Sequence, residues 1–256
     1  MERRVLKAAA DWVFVPPDAE DFIGADYRMT LYPDRASVQW SATERPLDEV
    51  IAEVCERGAV RPVVRWWVDA RTTPSNTAEV LREHGFEEVE VVEILARELT
   101  DADGLAAELA VPRDVEVAAA LDAESIYRAA QVDAAVFGWD GPPREHLVAE
   151  ADAVAAGDRS LVRYVASVDG EIVGSAGYTL AGDVVRLWGA GVLPSARGRG
   201  VYRALLAARC QAGAAEGATL AVVKGRTTTS APILRRAGFT PYGTQHCYQL
   251  SGLEPS

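Results

Sequence analysis

The residues best suited to chemistry lie in one string, Val192-Leu193-Pro194-Ser195-Ala196-Arg197-Gly198-Arg199-Gly200-Val201-Tyr202-Arg203-Ala204-Leu205-Leu206. Arginine and glycine alternate there between a strand pattern and a helix pattern. Gly198 and Gly200 permit positive φ and carry no Cβ, so main-chain N–H groups can converge on one point. A helix that starts straight after them aims its positive end at the same point. Arg197, Arg199 and Arg203 add fork-shaped, charge-assisted donors. The ligand that suits this loop is a diphosphate. The string is not a Walker A loop, which needs Gly-x-x-x-x-Gly-Lys-Ser/Thr. It is not a dinucleotide fingerprint either, because Arg203 stands where that pattern needs a small residue.

The charge around the loop agrees with an anionic ligand. Residues 184–240 carry nine cations and a single acid, Glu216, in a chain whose formal net charge is -12. Residues 1–110 hold 12 Lys/Arg against 23 Asp/Glu, and residues 111–256 hold 14 against 15. A solvated basic face that pairs with the acidic half is the alternative reading of this island. The acidic total disfavours nucleic acid and membrane surfaces as partners.

The elements that must position the loop are legible by pattern. Val184–Leu193 reads as the strand before it and Val201–Glu216 as the helix after it, with Leu205 and Leu206 facing inward. Ser160–Val168 and Glu171–Leu180 read as a hairpin across Asp169-Gly170. Helices are expected from Asp122 to Val136, from Glu145 to Ala156 and over Ser230–Arg236. Strands are expected at Thr219–Val223 and Gly243–Leu250. In the first half, Asp26–Leu31 and Ala36–Ser41 read as a hairpin, Leu47 to Gly58 as a helix and Val63–Val68 as a strand. A helix follows from Pro74 to His84, and Glu88–Glu98 reads as a half-buried strand. Gly85-Phe86 and Gly238-Phe239 lie 153 residues apart, each after a helix pattern and before a strand. That spacing suggests duplication. Asp101 to Pro112 would be the linker.

The loop string resembles the acyl-CoA-binding motif of the GCN5-related N-acetyltransferases (GNAT), usually Gln/Arg-x-x-Gly-x-Gly/Ala. Arg197 and Gly200 match it, while Tyr202 occupies the last small position. Ser230–Phe239 resembles the family's second motif, and Asp169–Gly174 its central hairpin. The resemblance covers residues 115 to 250. It implies an α/β fold with an α+β mixed sheet, the GNAT-like acyl-CoA N-acyltransferase fold, in tandem with a degenerate first half. The expected domains are 1-108, a degenerate GNAT-like domain, and 112-256, an acetyl-CoA-binding catalytic domain. No Arg-Gly loop precedes Val63, so the first copy should bind no cofactor.

The resemblance implies transfer of an acetyl group from acetyl-CoA, as co-substrate, to a primary amine of a small molecule or peptide. A neutral amine would attack the thioester directly in a ternary complex. A main-chain N–H around Gly191, Val192 and Leu193 would stabilise the oxyanion. The expected cofactor-binding residues are Gly191, Val192, Leu193, Arg197, Gly198, Arg199, Gly200, Val201, Tyr202 and Arg203, with Ser230 and Ile233 from the second motif. Acid–base groups carry over poorly. The family often places a Glu on the strand before the loop, and Leu187–Gly191 has no carboxylate. It often places a Tyr four residues before the second motif's glycine, and Leu234 stands there. Tyr202, Tyr242 and His246 are the substitutes nearby in sequence, with a water relay as the preferred base. These gaps keep open a non-catalytic acyl-CoA sensor and an interaction protein.

The remaining reactive types read as structural. Cys210 sits mid-helix in an alanine-rich run, as a buried thiol would. Cys55, Cys210 and Cys247 are odd in number and scattered, which argues against a disulfide framework and for a reducing, cytoplasmic setting. His84, His146 and His246 share no ligand spacing, so no metal is expected. Trp139, in a Gly/Pro loop, is the tryptophan best placed for a substrate pocket. The chain has 256 residues, 49% apolar and 25% charged. It has no apolar run of the ~18–20 residues that cross a bilayer, and Met1 to Pro17 does not read as a signal peptide. A monomer or a homodimer is expected, since the partial copy could stand in for a second subunit.

Overall fold

The computed structural model describes residues 1–16, 18–100, 104–138, 141–158 and 161–252. Two compact units make up the chain, and they interleave along it. The first contains Met1–Ile94, Gly225–Ile233 and Pro241–Ser256; the second contains Leu95–Lys224 and Leu234–Thr240.

In the first unit, α1 (Glu2–Ala10) buries Val5, Ala8 and Ala9 on one face. β1 (Glu20–Ile23), β2 (Tyr27–Leu31) and β3 (Ala36–Ser41) form an antiparallel ribbon. α2 (Leu47–Gly58) turns Leu47, Val50, Ile51 and Val54 inward at the helical period. It stops at Gly58, where a Cβ would lie 2.6 Å from Val64 Cγ2. β4 (Val63–Val68) returns parallel to β3, the crossover that a strand–helix–strand unit requires. α3 (Thr77–Glu83) ends at Gly85, and β5 (Glu87–Glu98) leaves this unit after Ile94. Tyr27, Met29, Val38, Trp66, Leu81 and Phe86 fill the core.

In the second unit, α4 (Leu105–Glu108) occupies part of the expected linker. Leu105 is fully buried there, and Arg97 holds Glu108 at 2.6 Å. Residues 101–103 of that linker lie outside the described residues. β6 (Val115–Ala119) leads to α5 (Ala123–Phe137), which Asp122 and Ser125 cap reciprocally. α6 (Arg144–Ala155) follows, then β7 (Leu161–Val168), β8 (Glu171–Ala181) and β9 (Val184–Val192). Asp169 and Gly170 join β7 to β8 at φ 55° and 81°, the paired positive values of a two-residue hairpin turn. α7 (Val201–Ala215) crosses over to β10 (Leu220–Arg226), parallel to β9.

α8 (Ser230–Arg236) and β11 (Thr240–Ser251) close the chain. The strand order is β1-β2-β3-β4-β11 in the first unit and β10-β9-β8-β7-β6 in the second. β11 thus lies antiparallel beside β4, from His246 opposite Val68 to Ser251 opposite Val63.

The repeat inferred from the glycines extends to the hydrogen bonds. Gly85 at φ 83° and Gly238 at φ 75° each end a helix. Phe86 N–H donates to Leu81 O and Phe239 N–H to Leu234 O, both at 3.0 Å. The order hairpin, parallel crossover, short helix, twelve-residue strand occurs once as β2 to β5 and again as β8 to β11. α1, β1, α4 and β6 are additions to the elements read from sequence. Val89, expected on the half-buried face, is 47% exposed.

Candidate functional site

The loop between β9 and α7 is built by its glycines. Leu193 N–H donates to Val173 O at 2.8 Å, and Pro194–Ala196 make one 3-10 turn that buries Ala196. Gly198 and Gly200 both sit at φ 80°, and Gly200 is the N-cap of α7. A Cβ on Gly200 would lie 2.6 Å from the Pro112 ring, so conformation and space both require glycine there. The first helical bond of α7 is Ala204 N–H to Gly200 O, at 3.0 Å. The N–H groups of Val201, Tyr202 and Arg203 therefore have no acceptor within the helix. These amides and the helix dipole are what a diphosphate needs.

The three arginines differ in engagement. Arg197 is exposed, with its Nε 3.4 Å from Val192 O. Arg203 is half-buried and lies over Gly200. Arg199 is anchored: it pairs with Asp114 at 3.1 Å and Asp169 at 3.3 Å, carboxylates before β6 and in the β7–β8 turn. Its first role is to hold the loop to that turn.

The strand that feeds the loop is irregular. β10 pairs with β9 from Leu220 opposite Val184 to Val223 opposite Leu187, and β9 runs on to Val192. On its other edge, Gly177 opposes Trp188 and Ser175 opposes Gly191. Ala176 therefore faces both Gly189 and Ala190, a bulge with Gly189 at φ 60°. Gly177 is required because the Trp188 ring lies 2.2 Å from where its Cβ would be. α5 presses Val136 against Gly191, 3.1 Å from where a Cβ would be.

Two buried polar groups flank this strand, and both were missed in the sequence. Arg209 on α7 is 1% exposed. Its Nε donates to Leu205 O, and its Nη1 to Gly177 O and Trp188 O, at 3.0 to 3.1 Å. Burial pushes its pKa down from the usual arginine value. On α5, Asp133 is 6% exposed and accepts from Ser175 Oγ and, at 3.0 Å, from Arg163. Arg163 also donates to Glu150 at 2.6 Å and lies 5.2 Å from the Trp188 ring centroid. Burial pushes the Asp133 carboxyl up, against the pull of Ser175 and Arg163. Asp133 was hidden because its helix spacing reads as core; its partners come from β7 and β8.

The other candidates separate by unit. Tyr202, on the first turn of α7, is half-buried, and burial raises its hydroxyl pKa. Tyr242, His246, Ser230 and Ile233 belong to the first unit. His246 Nδ1 there lies 3.0 Å from Glu88 Oε2, and Tyr248 hydroxyl donates to the same oxygen at 3.0 Å. Cys210 and Cys247 are buried, and burial pushes both thiols up to about 12, which leaves them unreactive. Trp139 lies outside the described residues. Among the described residues no group of three or more His, Cys, Asp or Glu is placed to hold a metal, and no helix is long and apolar enough to cross a membrane.

A Gly-rich loop on a bulged strand beside a parallel neighbour is the arrangement that the resemblance of the loop string to the GNAT motif implies. The comparisons agree: residues 124–239 match the acetyltransferase (GNAT) family, and that segment is a GNAT domain. Among solved structures, a GCN5-related N-acetyltransferase from Kribbella flavida is 22% identical with a TM-score of 0.65, over 98% of this chain and 95% of that one. A tandem GNAT protein from the clavulanic acid biosynthesis pathway is 14% identical with a TM-score of 0.64, over 98% and 88%. A conserved protein of unknown function from Staphylococcus epidermidis is 15% identical with a TM-score of 0.65, over 95% and 99%. The TM-scores establish a shared fold. No curated protein matches the chain.

Proposed function

We propose that this protein transfers an acetyl group from acetyl-CoA to a primary amine of a small molecule or peptide, in the cytoplasm. The Gly198–Arg203 loop at the head of α7 carries this reading. Its amides, with Arg197 and Arg203, would grip the diphosphate, and Arg199 would hold the loop in shape. The thioester would lie along β9 beyond Leu187, where a main-chain N–H between Gly191 and Leu193 meets the developing oxyanion. The neutral amine attacks the carbonyl carbon, the carbon–sulfur bond breaks, and the thiolate leaves as CoA. A water relay takes the amine's proton. Holding both substrates together supplies orientation, the larger part of the advantage for so reactive an ester. Domain 112-256 would be the catalytic part and 1-108 a degenerate copy.

Calorimetry with acetyl-CoA, followed by mass spectrometry of an amine library incubated with acetyl-CoA and the protein, tests this. Saturable binding and a product 42 Da heavier than one amine, the mass that acetylation adds (about 42 by atom count, since acetyl replaces hydrogen), are expected. Absence of binding overturns the reading. Binding with no product from any amine leaves an acyl-CoA sensor in its place.

A further inference from the structure

We infer that Arg209 is a positioning residue for acyl transfer: from the α7 side it clamps the β8–β9 bulge and so sets the course of the strand that meets the thioester. The inference rests on the acyl-transfer reading above and adds to it a residue that touches no substrate.

The bulge creates the need. Where Ala176 faces both Gly189 and Ala190, the ladder between β8 and β9 is interrupted, and main-chain carbonyls beside it lose their usual donors. Arg209 reaches one carbonyl on each strand at that interruption. A single nitrogen, Nη1, donates to Gly177 O at 3.0 Å and to Trp188 O at 3.1 Å, and these two residues are register partners. Its Nε is tied to Leu205 O at 3.0 Å in its own helix. The guanidinium thus fixes both strands to α7 at one place. A slip of β9 by a single residue would move every following side chain to the opposite face. It would take Gly191 from beneath Val136, 3.1 Å from where its Cβ would lie, and would re-aim the amides from Ala190 to Leu193.

The clamp also acts on charge. Trp188 C=O belongs to the same planar trans peptide as Gly189 N–H, so the N–H points away from the guanidinium. A cation on the carbonyl end strengthens the donor at the other end. All three acceptors are main-chain carbonyls, so this charge is not cancelled at the contact by a carboxylate. A plain packing role would be filled as well by an apolar side chain of the same length.

The test compares Arg209→Met, Arg209→Lys and Gly189→Ala with the wild type. It reads acetyl-CoA affinity by calorimetry, the carbonyl resonance of bound acetyl-CoA labelled with 13C at that carbon, and kcat on any amine found in the library. The expected result for Arg209→Met is an affinity within about threefold of wild type, a carbonyl resonance moved toward its free position, and kcat lowered about 10- to 100-fold, less than the roughly 100- to 1,000-fold that outright loss of an oxyanion-site donor costs. Arg209→Lys should recover part of both. A folded Arg209→Met protein with wild-type resonance and kcat overturns the inference and leaves the acyl-transfer reading standing. If Arg209→Met does not fold, Gly189→Ala decides: its strained φ should shift the bulge and lower kcat without loss of affinity, and an unchanged kcat overturns the inference. If wild type binds no acetyl-CoA, the acyl-transfer reading falls and this inference falls with it.

Discussion

The segments β3–α2–β4 and β9–α7–β10 have one topology and opposite electrostatics. In both, an antiparallel hairpin strand feeds a helix that returns to a parallel neighbour, and in both the parallel register stops before the strands do. It ends at Val38 opposite Trp66 in one and at Leu187 opposite Val223 in the other. Beyond β9 come two glycines at positive φ, two exposed arginines and a helix with no acid in its first turn. Beyond β3 come Thr43, Glu44, Arg45 and Pro46, and a helix with Asp48 and Glu49 in its first turn. Arg45 there is committed to Asp26 at 3.1 Å and Glu53 at 3.0 Å. The space beyond the β3–β4 register is stitched shut. Trp66 Nε1 donates to Ser41 Oγ at 3.0 Å, and Thr73 exchanges main-chain bonds with Ser41 and Thr43. A cavity of about 170 Å³ remains, walled by Trp40, Trp67 and Asp69. A crossover is therefore not a binding site. The loop must leave main-chain donors unused, and the helix after it must carry no acid in its first turn.

The largest effect expected from breaking that contrast is at Gly200. Gly200→Val should raise the acetyl-CoA Kd at least 100-fold in calorimetry, because the side chain meets Pro112 and the backbone cannot hold φ 80°. Next comes Arg197→Ala, which should raise Kd about 10- to 150-fold if its charge-assisted contact gives ~1.5–3 kcal/mol. Its control is Arg45→Ala in the first unit, which should leave Kd unchanged. An equal loss of affinity in the control would mean that bulk charge, not loop geometry, holds the ligand.

A smaller effect is expected at the stitch. Ser41→Ala leaves the buried Trp66 N–H without its acceptor and should cost about 1–3 kcal/mol in denaturant unfolding, with no second acetyl-CoA site in calorimetry. The smallest is in acid. Tyr27 and Arg45 hold the Glu53 carboxyl below its usual pKa, and Thr43 and Arg45 do the same for Asp26. A lowered carboxylate pKa stabilises the folded state above the unfolded value and loses that contribution as pH falls through the folded one. Arg45→Ala should therefore flatten the decline of thermal stability between about pH 5 and 3. An unchanged slope would show that these pairs do not report on folding.

Much of this was readable from residue order. The Asp169-Gly170 turn, the Arg-Gly loop, Asp122 as a helix start and the paired Gly-Phe stops are local signals, and their backbone consequences depend on neighbours in the chain. Arg209 and Asp133 gave no such signal. Each looks like one more residue of its helix, and only partners at positions 177 and 188, or 163 and 175, make it part of a site. Arg199 shows the converse: its type fits a phosphate ligand, and two aspartates distant in sequence engage it in this structure.

Sequence alone determined most of the element types, the paired Gly-Phe helix stops and the Arg-Gly loop, since glycine conformation, turn chemistry and helix periodicity act over a few residues. Tertiary structure decided which of two twelve-residue strands, β5 or β11, lies beside β4, and it chose β11. It also decided which cations were taken up by carboxylates or by a bulge. Those choices depend on which strand edges and which charges meet in space, and residues far apart along the chain carry no local record of that meeting.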